Sequence, residues 1–235
     1  MLALAVFFGN PGPDYKSNRH NAGWLLARKL AFFYTLGWRK KFKGQWAEIA
    51  GEKLIAFCPP VLDLQDDSSK KSQESSASLY SENSSPPEKI HFLMPGTFMN
   101  RSGDSVREAA SFFKIKSEQI IVIHDELELP LGTISLKFSG GLGGHNGLRS
   151  MKANFGTADF WRLRLGIGRP DDRLPGQGGK EGSGKGIVDW VLSDFSPEEA
   201  SVLESTLESA ADLLIRTLVY GPENFVPLWG KKKIL

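Results

Sequence analysis

Three short apolar runs in this chain end in polar residues that packing does not call for. Asn10 follows the run 2–8, Met99-Asn100 follows 90–94, and Asp125 follows 120–123. In open α/β sheets, ligands sit beyond the carboxyl ends of the strands. If these runs are parallel neighbouring strands, Asn10, His20, Asn100 and Asp125 share one pocket. A histidine held by a carboxylate is a general base near neutral pH. Asparagine amides orient water or stabilise an oxyanion. The set suggests direct hydrolysis by an activated water, with no covalent intermediate.

The glycine-rich stretch "SGGLGGHNGL", residues 139–148, adds another wall. It follows a strand and opens a helix, and its glycines let backbone come close to a ligand. It is not a dinucleotide fingerprint, because Asn146 stands where the third glycine belongs. No G-x-S-x-G nucleophile motif and no phosphate-binding P-loop occur. Cys58 is the only cysteine, which excludes an internal disulfide and a cysteine metal cluster. It lies beside Pro59-Pro60, a poor place for a nucleophile. A metal cluster of His20, His124, Asp125 and His145 is not expected, since adjacent strand residues point to opposite faces. His124 reads as structural, and no cofactor is called for.

The elements that must hold these residues follow from pattern. Residues 2–8, 90–94, 120–123 and 133–138 read as strands. Residues 22–34 are apolar and free of Gly and Pro, so a helix is predicted. Trp46 to Cys58 reads as a hairpin around Gly51-Glu52. Val106, Ala109, Ala110 and Phe113 have the spacing of a buried helix face. Residues 145–153 suit a short helix. Trp161, Leu163, Leu165 and Ile167 alternate with Arg162, Arg164 and Gly166, giving a strand with one apolar and one basic face. Residues 187–192 read as another short strand. Ser196-Pro197-Glu198-Glu199 has the N-cap, first-turn proline and capping-box glutamate of a helix that runs to about Tyr220.

Two stretches look different. Residues 63–87 are serine-rich and charged, and cannot bury enough surface to offset their ordering entropy, so a disordered insertion is expected. Residues 170–186, rich in Gly and charge, read as a flexible loop. The expectation is one domain over 1–235, a three-layer α/β/α with a central twisted, mixed, mostly parallel sheet. A net charge of +2 excludes a general basic field but leaves room for a local one. No apolar stretch reaches the ~20 residues of a membrane span. The start, "MLALAVFFGNPG", lacks the basic opening of a signal peptide. A cytoplasmic protein is expected.

The chain resembles the bacterial-type peptidyl-tRNA hydrolases in four blocks that follow the family's order. These are "GNPGPDYKSNRHNAG", "MPGTFMNRSGDSV", "IHDELELPLG" and "GGLGGHNGLRSM". The resemblance implies cleavage of the ester joining a peptide to the 3′ ribose of tRNA. It implies His20 as general base, Asp125 as its charged partner and Asn10 as the residue that positions it. Asn100 and Asn146 would hold the water and the peptide backbone, with Tyr15, Met99 and His145 lining the pocket. Lys137 and Arg164 align with residues that hold tRNA phosphates. The implied partner is peptidyl-tRNA, handled by a monomer. Two departures stand out. Met94-Pro95-Gly96 replaces the usual Lys-Pro-Gln, and Leu142 stands where the family has histidine. Splicing factors that share the fold leave a non-catalytic RNA-binding role as the alternative.

Overall fold

The computed structural model describes residues 1–58, 87–170 and 184–234. Nearly all of the stretch 63–87, and most of 170–186, lies outside them. The described strands, in chain order, are β1 (Leu4–Phe7), β2 (Arg39–Lys41), β3 (Gly44–Ala50), β4 (Lys89–Pro95), β5 (Ile120–Glu126), β6 (Thr133–Phe138), β7 (Trp161–Gly166) and β8 (Lys232–Lys233). The helices are α1 (Ala22–Ala27), α2 (Gly51–Ile55), α3 (Ser102–Phe113), α4 (Asn146–Phe155), α5 (Gly184–Val191), α6 (Ala200–Tyr220) and α7 (Val226–Trp229).

The strands form one sheet in the order β2-β3-β4-β1-β5-β7-β6-β8. β4, β1, β5 and β7 pair in parallel at its centre. β3 and β6 run against the other described strands. Central strands buried on both faces need apolar residues at every position, and β1, "LAVF", is buried throughout. Its side chains alternate between two cores. Ala5, Phe7, Ile121 and Ile123 face α1, α2, α6 and α7. Leu4, Val6, Ile120 and Val122 face α3 and α4. The expected mixed α/β sheet, covered on both faces, is the one found.

Helix ends follow their residues. The Ser196–Glu199 capping box closes just before α6, with the Ser196 N–H donating 2.7 Å to Glu199 Oε2. Such a cap contributes about 1 kcal/mol. Val106, Ala109 and Ala110 of α3 are buried as their spacing requires.

Three elements differ from expectation. The helix predicted over 22–34 stops at Ala27. Leu30 and Phe32 are both buried, and a continued helix would set them about 200° apart, on opposite sides. The hairpin is β2–β3, turning at Phe42 and Lys43, both with positive φ. Gly51 starts α2 instead of a turn. β3 loses its partner where β4 begins, at the Ala50–Lys89 pair, and Gly51 N–H caps that edge on Glu88 O. Residues 187–192 lie on and just after α5, not on a strand. The helix turns Trp190 inward and leaves Val188 exposed.

Candidate active site

The carboxyl ends of β1, β4 and β5 lie side by side and bring the polar residues together. Asn10 follows β1 and is buried. Its N–H donates 2.7 Å to Asn21 Oδ1, and Asn21 Nδ2 donates back to Asn10 O at 3.1 Å. Asn10 Oδ1 accepts from the Met99 N–H at 2.8 Å. The asparagine therefore ties the loop after β4 to the residue next to His20. It fixes His20 through backbone, not through a bond to the ring. Asn21, not singled out in the sequence, is the other half of this tie.

His20 sits in a 3₁₀ turn (Arg19–Asn21) directly before α1. Its Nδ1 lies 2.9 and 3.0 Å from the two Asp125 oxygens. The pair is buried. Burial works to lower the imidazole pKa, but the charge and hydrogen bond of Asp125 outweigh it, so His20 ends above its ordinary value. Burial alone would raise the Asp125 carboxyl. Facing His20 and His145, it is held well below the usual carboxylate range.

His145 completes the knot. Its Nε2 lies 3.1 Å from Asp125 Oδ1, and its Nδ1 accepts from Gly147 N–H at 3.0 Å and Leu148 N–H at 3.4 Å. It is thus the N-cap of α4. An Nδ1 that accepts carries no proton, so Nε2–H donates to Asp125. Gly147 lets this turn close: a Cβ there would lie 2.6 Å from the Phe8 ring and 2.8 Å from Met99 Sδ.

His124, just before Asp125 on β5, packs its ring edge-on against His145, with centroids 4.9 Å apart. Its Nδ1 meets Asp125 O at 2.6 Å, while Nε2 is buried without a partner among the described residues. Burial drives its pKa well down. His20, Asp125 and His145 bring ligand-type atoms within 4.8 Å of one another. The two imidazole atoms facing Asp125 are hydrogen-bond donors there, so a metal ion would have to displace both protons.

The remaining residues sit at the mouth. Met99 is buried beneath it, while Asn100 and Asn146 are exposed. Arg149 donates to Asn146 Oδ1, which leaves the Nδ2 hydrogens of Asn146 for a ligand. Tyr15 is half-buried and meets Phe98 edge-on at 6.3 Å. The basic face of β7 is only partly a surface. Arg162 is buried, donating to the carbonyls of Gly140, Gly141 and Ala158, and so staples the glycine-rich loop. Arg164 reaches Glu126 at 3.4 Å and Ser135 Oγ at 2.7 Å. Lys137 is exposed and lies across from Arg162 on β6.

Arg19 is a residue the sequence did not flag. Its guanidinium is buried 3.8 Å over Trp190 and pairs with Glu199 at 2.8 Å. It docks the His20 turn on α5 and on the segment after it. No local pattern signals this, because its partners lie far along the chain.

The peptidyl-tRNA hydrolase family model matches residues 4–233. The chain belongs to the peptidyl-tRNA hydrolase family. It is 40% identical, over 237 aligned residues, to a peptidyl-tRNA hydrolase of Treponema pallidum (strain Nichols), covering 100% of this chain and 97% of that one. Among solved structures, it is similar to peptidyl-tRNA hydrolase from Acinetobacter baumannii, with a TM-score of 0.68 and 30% identity, covering 95% and 92% of the two chains. A peptidyl-tRNA hydrolase complex with N-propanol gives a TM-score of 0.67 at 28% identity, covering 96% and 91%. The matched range contains His20, Asp125 and His145. No described helix is long and apolar enough to cross a membrane.

Proposed function

We propose that this chain hydrolyses the ester between a peptide and the 3′ ribose of tRNA, with His20 as the general base. The observation that carries the reading is the buried His20–Asp125 pair at the carboxyl ends of β1 and β5. With Nδ1–H held by Asp125, Nε2 accepts a proton from water as the water oxygen attacks the ester carbonyl. The imidazolium that forms faces the carboxylate, which lowers the cost of its charge. Nδ2 of Asn100 and Asn146 donates to the water, the peptide backbone or the developing oxyanion. Collapse breaks the bond to the ribose oxygen, and the proton on His20 returns to that oxygen. The products are a free peptide acid and a tRNA with its 3′ hydroxyl restored.

Asn10 positions His20 through Asn21, and Tyr15, Met99 and His145 line the pocket. Lys137 and Arg164 hold tRNA phosphates. The protein is taken to act as a monomer, and a substrate made in translation supports work in the cytoplasm. A non-catalytic RNA-binding role gives no reason to bury a charged carboxylate against two imidazoles. The test is single-turnover release of peptide from purified peptidyl-tRNA. Binding without release would overturn the reading.

A further inference from the structure

A groove of about 510 Å³ opens on the α1 face of the sheet, beside the pocket. Its floor is a row across three strands: Lys40 pairs with Gln45, and Gln45 with Met94. Residues paired across strands point to the same face, so all three side chains enter the groove. Trp24 of α1 forms one wall. Its indole N–H is committed to Phe7 O at 3.1 Å, so what it offers the groove is apolar. Pro11, the residue after Asn10, forms the wall nearest the pocket.

The charge at this groove has one sign. Lys40, Lys41 and Lys43 line it, and none of its lining residues is acidic. The lysines are not equal. Lys41 Nζ lies 3.8 Å over the Phe112 ring, on the other face of the sheet. Lys43 pairs with Glu108 at 3.4 Å. Lys40 is exposed and has no ion-pair partner among the described residues. Its ammonium is the charge free to meet an occupant.

Sheet order says which part of the substrate arrives there. The placement that follows rests on the function proposed above. The ester sits over β1 and β5. The residues proposed to hold tRNA lie on β7 and β6, on one side of β5. The other substituent of the ester, the peptide, then leaves toward β4, β3 and β2. The β2–β3 turn stands at the same end of the sheet as the pocket, because Gly44 pairs with Pro95 at the carboxyl end of β4. A volume of this size is enough for a few residues.

We propose that this groove receives the peptide part of the substrate and that Lys40 makes it favour peptides with an acidic side chain. An apolar wall with one unpaired cation suits a carboxylate on an apolar stem. Binding energy from this remote contact adds to substrate capture, so it appears in kcat/KM.

The test uses one tRNA carrying N-blocked tripeptides that differ at a single residue, Asp, Asn or Lys. Values of kcat/KM are compared at low salt. The wild-type protein should prefer Asp over Asn by about two- to five-fold, the range for one exposed ion pair. Lys40→Gln should bring the Asp:Asn ratio near one, and Lys40→Glu should invert the Asp:Lys order. If the wild-type protein shows no Asp preference, the proposal fails. It fails equally if Lys40→Glu lowers all three substrates by the same factor, which would mean that the lysine attracts RNA. Absence of hydrolysis with every peptide is a different result, and it would overturn the proposed function itself.

Discussion

At the amino-terminal end of the central strands, neighbouring segments are tied backbone to backbone. Ala3 N–H donates to Gln119 O, His91 N–H to Ala3 O, and Gly51 N–H to Glu88 O. At the carboxyl-terminal end backbone ties continue, with Phe8 N–H donating to Ile123 O and Gly96 N–H to Lys43 O, but the site adds ties that run through side chains. Asn10 reaches Met99, Asn21 reaches Asn10, and both His20 and His145 reach Asp125. Backbone ties survive almost any substitution, whereas each side-chain tie is lost with its residue. The second kind also leaves a buried polar group unpaired, at about 1–3 kcal/mol, more for a charge. One end of the sheet is built to tolerate change and the other to depend on named residues.

His20→Ala should have the largest effect. Turnover should fall by about two to four orders of magnitude, the worth of a general base. The melting profile should stay cooperative. Near-normal turnover in the purified variant would remove His20 from the mechanism.

Asp125→Asn should cost roughly one to two orders of magnitude. The sign of its pH effect follows from the pair. Asp125 holds the His20 pKa above its ordinary value. Without the carboxylate, His20 loses its proton at lower pH, so the acidic limb of the pH–rate profile should move downward. A limb that stays in place would mean that the two residues do not titrate together.

Lys137→Gln and Arg164→Gln should act on binding instead. Each should raise KM for full peptidyl-tRNA a few-fold and flatten its log–log salt dependence by about 0.7–0.9, one phosphate contact. Because Arg164 is already engaged by Glu126 and Ser135, Lys137 should carry the cleaner salt effect. A minimal peptidyl-nucleoside ester should be cleaved as before by both variants. Wild-type affinity and salt slope in both would place the RNA elsewhere.

The smallest effect belongs at the tolerant end. The described chain resumes at residue 87, two residues before β4, about 20 Å along that strand from the pocket. Replacing 63–87 with a short Gly-Ser bridge should leave turnover within a few-fold, since loop length changes closure entropy slowly. A folded variant without activity would show that dependence is not confined to one end.

Which features were legible in the sequence follows the same division. β5 and β7 could be read because a buried run and strict alternation are local signals. His20 and Asp125 could be read because they stand where strands end in polar residues. The β2–β3 hairpin could not, because Phe42-Lys43 supplies positive φ without the usual Asn-Gly. Residues 187–192 were ambiguous because a short apolar run has no decisive period. Arg162 looked like a surface cation because alternation assigns a face but not the loop that later covers it.

His145 spends both ring nitrogens, one on Asp125 and the other on the first turn of α4. The ring can neither flip nor tautomerise without releasing a helix end and a carboxylate together. It therefore locks the orientation of Asp125 mechanically, and through Asp125 the tilt of the His20 ring. In ¹⁵N-histidine spectra it should stand as a single Nε2–H tautomer whose proton exchanges slowly with solvent. A helix of ten residues is thereby geared to the aim of one imidazole.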